Sequence, residues 1–206
     1  MASLGFTYTD FHIFELEGFS HRMAQLYALV RPKLLRLGET LAPPLARCLH
    51  LELFPHVARH ARRTVNPPPE TWCAFGPSAR GYKRYPYLGL CISAAGLHAR
   101  VVVKAEADHR FEMAALIRQH AGELTQTLRG TPLARYDNWD FSHLPAPAPL
   151  RGELWAELSN ALSRKTGGID LGIGWPVAEA VRLDGAEVCE AFAELAPLYR
   201  LCRSAT

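Results

Sequence analysis

Helices at both ends of the chain and short strands between them predict an α+β fold, a single domain over residues 1–206 with a largely antiparallel sheet. Three observations lead there. Apolar residues recur at helical spacing near both ends: Met23, Leu26, Tyr27, Val30, Leu34 and Leu37 first, then Val188, Phe192, Leu195, Tyr199 and Cys202. The middle instead carries short runs of strand formers, TWCAF, YLGLCIS and LHARVVVKA, separated by Gly or Pro. Finally, 206 residues of which 49% are apolar can bury a substantial core.

The elements follow in order. Gly18–Leu37 reads as an amphipathic helix, with a kink or break near Arg31 because Pro32 interrupts it. Glu39–Leu49 reads as a second helix, with Pro43 and Pro44 near its start, and Phe54–Arg63 as a third, short one. Strands are expected at Thr71–Phe75, Tyr87–Ser93 and Leu97–Ala105, the last two joined tightly through Ala94-Ala95-Gly96. Asp108 is placed to cap a helix running to about Leu128. Ser142–Gly152, with three prolines, reads as a surface connection or internal linker, and Glu153–Lys165 as the helix after it. Gly167–Arg182 reads as two strands around a turn at Pro176, and Ala186–Cys202 as the closing helix.

Five cysteines (Cys48, Cys73, Cys91, Cys189, Cys202) contain no CxxC pair and are odd in number. That spacing suits neither a disulfide framework nor a zinc ribbon. The opening MASLGFTYTDFHIFE lacks a basic leader ahead of an apolar stretch. The longest uncharged run, Tyr85–Ala99, is shorter than the ~18 residues a spanning helix needs. A cytoplasmic protein with no membrane partner is therefore expected. GxSxG, P-loop and GxGxxG motifs are missing, and no cofactor is expected. The glycine-rich Gly168–Gly174 reads as a strand with small residues, and the Tyr136–Asp140 segment as a turn.

Chemistry concentrates in one window. From Phe54 to Arg84 there are six cations, Arg59, Arg62, Arg63, Arg80, Lys83 and Arg84, against Glu70 alone. That is a local +5 in a chain whose formal net charge is +3, so the remainder carries −2. As a helix, Phe54–Arg63 would put His56, His60 and Arg63 on one face at i, i+4 and i+7. Asn66-Pro67-Pro68-Pro69 would end that helix and fix the angle of the next segment, which opens with Trp72. Beyond it, Arg80–Arg84 is a basic loop beside Tyr82, Tyr85 and Tyr87. Concentrated positive charge repels itself, an anion would relieve it, and planar guanidinium forks suit phosphate or carboxylate. The bland alternative is a solvated basic face, partly paired with Glu106, Asp108 or Asp140. No metal site is expected: HVARH has the spacing of two ligands but no Glu between them, no third ligand is evident, and the arginines repel a cation.

The stretch FPHVARHARRTVNPPPETWCAF followed by GYKRYPYLGL resembles the signature of the YktB-like family of small bacterial proteins of unknown function. FTYTDFHIFELEGFSHRM, RPKLLRLGETLAP and the closing APLYRL extend the resemblance over most of the chain. It implies one cytoplasmic α+β domain and carries no activity with it. Where that family's motif has a His after the proline of a KxxPH segment, Tyr87 stands here. The resemblance singles out His56, His60, Arg62, Arg63, Asn66, Trp72, Tyr82 and Lys83 without assigning them roles.

Three functional readings follow from these residues. The first is a binding protein for a phosphorylated or otherwise anionic small molecule, a nucleotide or short nucleic acid, with His56, His60, Arg62, Arg63, Asn66, Trp72, Tyr82 and Lys83 as ligand-binding residues. The second is an enzyme acting on a phosphate or carboxylate ester, with His56 or His60 as acid–base group and Arg62, Arg63 and Lys83 stabilising charge. The third is a structural or regulatory protein docking an acidic partner through a flat patch.

Overall fold

The alternation of apolar and other residues along the central strands produces a sheet with two chemically different faces. In the computed structural model, which describes residues 2–137 and 139–206, six strands lie in the order β1-β2-β3-β4-β6-β5, every neighbouring pair antiparallel. They are β1 (Phe54–Val57), β2 (Glu70–Gly76), β3 (Tyr87–Ser93), β4 (Gly96–Val103), β5 (Ala134–Arg135) and β6 (Ile169–Pro176). The helices are α1 (Tyr8–His12), α2 (Phe19–Gln25), α3 (Arg31–Leu49), α4 (Arg110–Gln119), α5 (Ala121–Thr127), α6 (Gly152–Leu162), α7 (Val177–Ala180) and α8 (Gly185–Arg203). This is the α+β class that the sequence predicts.

One sheet face presents Phe75, Leu90, Val101 and Leu171, which join the helices in a single core through Leu34, Trp155, Phe192 and their neighbours. The other face carries a small separate cluster, Ala74, Tyr87 and Val102 with Trp72 and Tyr82 against it. α3 reaches the β1 edge closely because Gly38 has no side chain. A Cβ there would lie 2.9 Å from Pro55 Cβ and 3.0 Å from Cys73 Sγ.

β2, β3, β4 and α8 form where the sequence places them, and Ser93 pairs with Gly96 across the tight connection. Several other elements differ. Phe54–Arg63 is not a helix: its first four residues pair with β2, and His60 has φ 49°, which no α-helix accommodates. Pro55 is tolerated because β1 is the edge strand. Near Pro32 the chain does not break. A π-helical turn at Leu26–Val30, with Arg31 N–H donating to the Leu26 carbonyl, carries α2 directly into α3. α3 then runs through Glu39 as one helix, so Pro43 and Pro44 lie inside it. The carbonyls they leave without an α-helical donor belong to Glu39 and Thr40, both exposed to solvent.

Asp108 does not cap the next helix. His109 takes the N-cap position, while Asp108 pairs with Arg84, and the helical stretch divides into α4 and α5 at His120. β6 ends at Pro176, which caps the start of α7 in place of a second strand. The proline-rich 142–152 segment is tied to the sheet edge by an isolated bridge from Pro147 to Ala134 and by Ala148 N–H donating to Leu133. Within the expected 136–140 turn, Asn138 lies outside the described residues; Asp137 is a turn residue held by Arg135. Among the described residues no helix is long and apolar enough to cross a membrane.

Candidate functional site

Two loops and one helical turn surround an open depression of about 1010 Å³ beside the β1–β2 edge. The first loop follows β1. Ala58 N–H extends the pairing to the Trp72 carbonyl, then left-handed His60 turns the chain and Arg63 N–H closes a turn on the His60 carbonyl at 2.9 Å. The π-helical turn and the first residue of α3 hold this loop by its backbone. Arg31 Nη1 donates to the Ala58 carbonyl at 2.8 Å and the Tyr27 hydroxyl donates to the Arg59 carbonyl. The side chains of Arg59, Arg62 and Arg63 are left exposed. The proline run then delivers the chain into β2 at Glu70, with Pro68 buried against the depression. The second loop contributes Arg80, Lys83 and Arg84, tied down where Asp108 N–H donates to the Arg84 carbonyl.

Register places His56 opposite Ala74, on the same face as Trp72. Its imidazole stacks on Tyr82 with centroids 4.8 Å apart, and its Nε2–H donates to the Ser78 carbonyl at 2.8 Å. The Tyr82 hydroxyl accepts from the Trp72 indole N–H at 3.1 Å. Burial pushes the Tyr82 phenol up, so it stays protonated at neutral pH. The Trp72 ring has the ammonium groups of Lys83 and Lys104 at 6.0 and 5.9 Å from its centroid, within cation–π reach. His60 meets the edge of Trp72 and shares a 3.0 Å hydrogen bond between Nε2 and the Thr71 hydroxyl. Burial first, then the charges of Arg63, Lys83 and Arg31, draw its pKa from the usual 6.5 down to about 4. It is a neutral imidazole at physiological pH.

The structure therefore brings His56, His60, Arg62, Arg63, Trp72, Tyr82 and Lys83 to one wall, although not on a shared helix face. Asn66 is not on that wall; its carbonyl accepts from Arg63 Nη1 at 3.3 Å. Both histidines have Nε2 engaged within the protein, which leaves Nδ1 for any other use.

Sequence reasoning missed Tyr27, Arg31 and a buried ion network behind the site. Arg100, fully buried mid-strand, donates from Nη2 to Glu70 Oε2 at 2.7 Å and lies 3.3 Å from Asp170, while Lys104 lies 3.8 Å from Asp170. Its neighbours across the ladder are Gly89 and Gly172, whose missing side chains leave room for it. The guanidinium lies 4.0 Å from the Tyr136 ring centroid, and His98 meets Tyr136 and Trp139 edge-on beside it. A charge at an inward position of LHARVVVKA was the available signal, since a lone cation inside a strand needs a buried partner.

The match to known proteins covers nearly the whole chain. Residues 6–199 fit the family model described as a domain of unknown function, DUF1054. The chain belongs to that family. A UPF0637 protein of Bacillus licheniformis is 33% identical over 98% of this chain and 97% of its own length. One of Bacillus velezensis is 38% identical over 63% of this chain and 62% of its own length, and one of Oceanobacillus iheyensis 45% identical over 40% of each. The YktB-like resemblance of the central motif pointed to this family, and DUF1054 as described brings no activity to the depression.

Proposed function

We propose that the depression binds a phosphorylated or otherwise polyanionic small ligand, such as a nucleotide or the end of a short nucleic acid. One observation carries the reading. Seven cationic side chains line the depression, against the carboxylates of Glu70 and Glu106. Glu70 is taken by Arg100, Glu106 lies 3.9 Å from Lys83, and Arg84 pairs with Asp108. Among the described residues, Arg31, Arg59, Arg62, Arg63 and Arg80 have no carboxylate within ion-pair distance. Their mutual repulsion is relieved by an anion, and their guanidinium forks can each hold two of its oxygens. The concavity favours a small ligand over the flat face that an acidic protein would need.

The test is calorimetric titration with inorganic pyrophosphate. Affinity should fall steeply between about 0.01 M and about 1 M salt, as the screening length shortens from ~30 to ~3 Å. The double substitution Arg62→Ala, Arg63→Ala should weaken binding at least about tenfold, or ~1.4 kcal/mol. Binding that ignores both salt and the double variant refutes the proposal.

A further inference from the structure

Glu70 is one of two carboxylates lining a depression otherwise dominated by cations, and its two oxygens differ. Oε2 accepts from Arg100, whereas Oε1 takes no hydrogen bond from any described residue. The side chain is 14% exposed and faces the depression, so Oε1 is open to a ligand while the carboxylate itself is held in place from behind. Trp72, two residues along β2, projects from the same face of the strand and lines the same depression. A carboxylate there repels a bare phosphate. It rewards a ligand that brings a hydrogen-bond donor alongside its negative charge, and the neighbouring indole rewards a planar ring.

We infer that Glu70 is the specificity-determining residue of this site, selecting a nucleoside phosphate over inorganic phosphates by accepting a hydrogen bond at Oε1 from a ribose hydroxyl or a base amino group. This rests on the anion-binding reading and names the ligand class for it. The two charge patterns divide the work. The arginines of the 58–69 loop take the phosphates, Trp72 takes the ring, and Glu70 disfavours ligands that lack a donor.

A single-atom exchange isolates the effect. In Glu70→Gln, Arg100 can only donate, so the amide oxygen must occupy the Oε2 position and the NH₂ must point into the depression. The acceptor becomes a donor without loss of volume. Affinities of tripolyphosphate, ATP, 2′,3′-dideoxy-ATP and ITP are measured by calorimetry on both proteins, after circular dichroism has shown that the variant is folded. The wild-type protein should bind ATP at least about tenfold more tightly than tripolyphosphate, and Glu70→Gln should reduce that ratio below about threefold. Loss of affinity with the dideoxy analogue assigns the donor to the sugar, and loss with ITP assigns it to the base amine. Equal binding of ATP and tripolyphosphate to the wild-type protein overturns the inference while leaving the anion site intact. So does an ATP preference that survives Glu70→Gln, or one that neither analogue diminishes. If neither tripolyphosphate nor ATP binds, the anion reading falls and this inference falls with it.

Discussion

Acidification should destabilise this protein through His60, and an anion should weaken that effect. The folded-state pKa is about 4 against the usual 6.5 of an unfolded histidine. Between those values the unfolded chain takes up a proton that the native protein refuses. Stability contributed by neutral His60 is thus complete above pH ~6.5, falls as pH drops through that window, and is gone below ~4. At 1.36 kcal/mol per pH unit the full difference would be ~3.4 kcal/mol. The imidazole is only half-buried, so solvent screening reduces this to about 1–2 kcal/mol. Burial is the largest cause and an anion cannot remove it. Pyrophosphate or Arg63→Ala should therefore raise the pKa only part of the way back. The assay is an NMR titration of the His60 ring protons with and without pyrophosphate, beside urea denaturation of the wild-type protein and His60→Asn across the same range. Asn suits the left-handed backbone at this position. The reasoning is refuted if His60 titrates near 6.5, or if His60→Asn loses stability with acid as steeply as the wild-type protein.

Two structural predictions join this one and the two binding experiments above. Arg100→Met leaves Glu70 and Asp170 close together without their shared cation, so urea denaturation at pH 7 should show a loss of about 3–5 kcal/mol. The loss should shrink toward pH 5, because protonating one carboxylate relieves the repulsion; a pH-independent loss would count against the network. Gly38→Ala drives a methyl against Pro55 and Cys73, and should lower stability by about 1–3 kcal/mol and shift the amide resonances of β1. An unchanged melting temperature would show that α3 can move away from the edge freely.

Much of the fold was legible because its signals are local. Val188, Phe192, Leu195 and Tyr199 need only the 3.6-residue period to define the buried stripe of α8, and all four are buried. The runs around Cys73, Leu90 and Val101 needed only strand-forming residues bounded by Gly and Pro. The position of the cationic window also follows from composition, since the loops 58–69 and 77–86, of 12 and 10 residues, cannot carry those charges far from β2 and β3. Phe54–Arg63 was not legible in this way. The spacing of His56 and His60 fits a helix, yet Phe54–Val57 gains more by hydrogen-bonding to β2, and nothing within the segment reports that partner.

The sequence by itself determined the α+β class, the apolar stripes that build the core, and the part of the chain where positive charge accumulates. Tertiary structure decided which of those charges remain unpaired, that the loop after β1 is pinned by Tyr27 and Arg31, and that Glu70 turns one oxygen to Arg100 and the other outward. The division has a physical cause. Periodicity and composition act over a few neighbouring residues, whereas ion pairing and edge-strand pairing depend on sheet register, which joins residues 16 to 22 positions apart in the β1–β2 pairing and 30 to 70 apart in the Arg100 ion pairs.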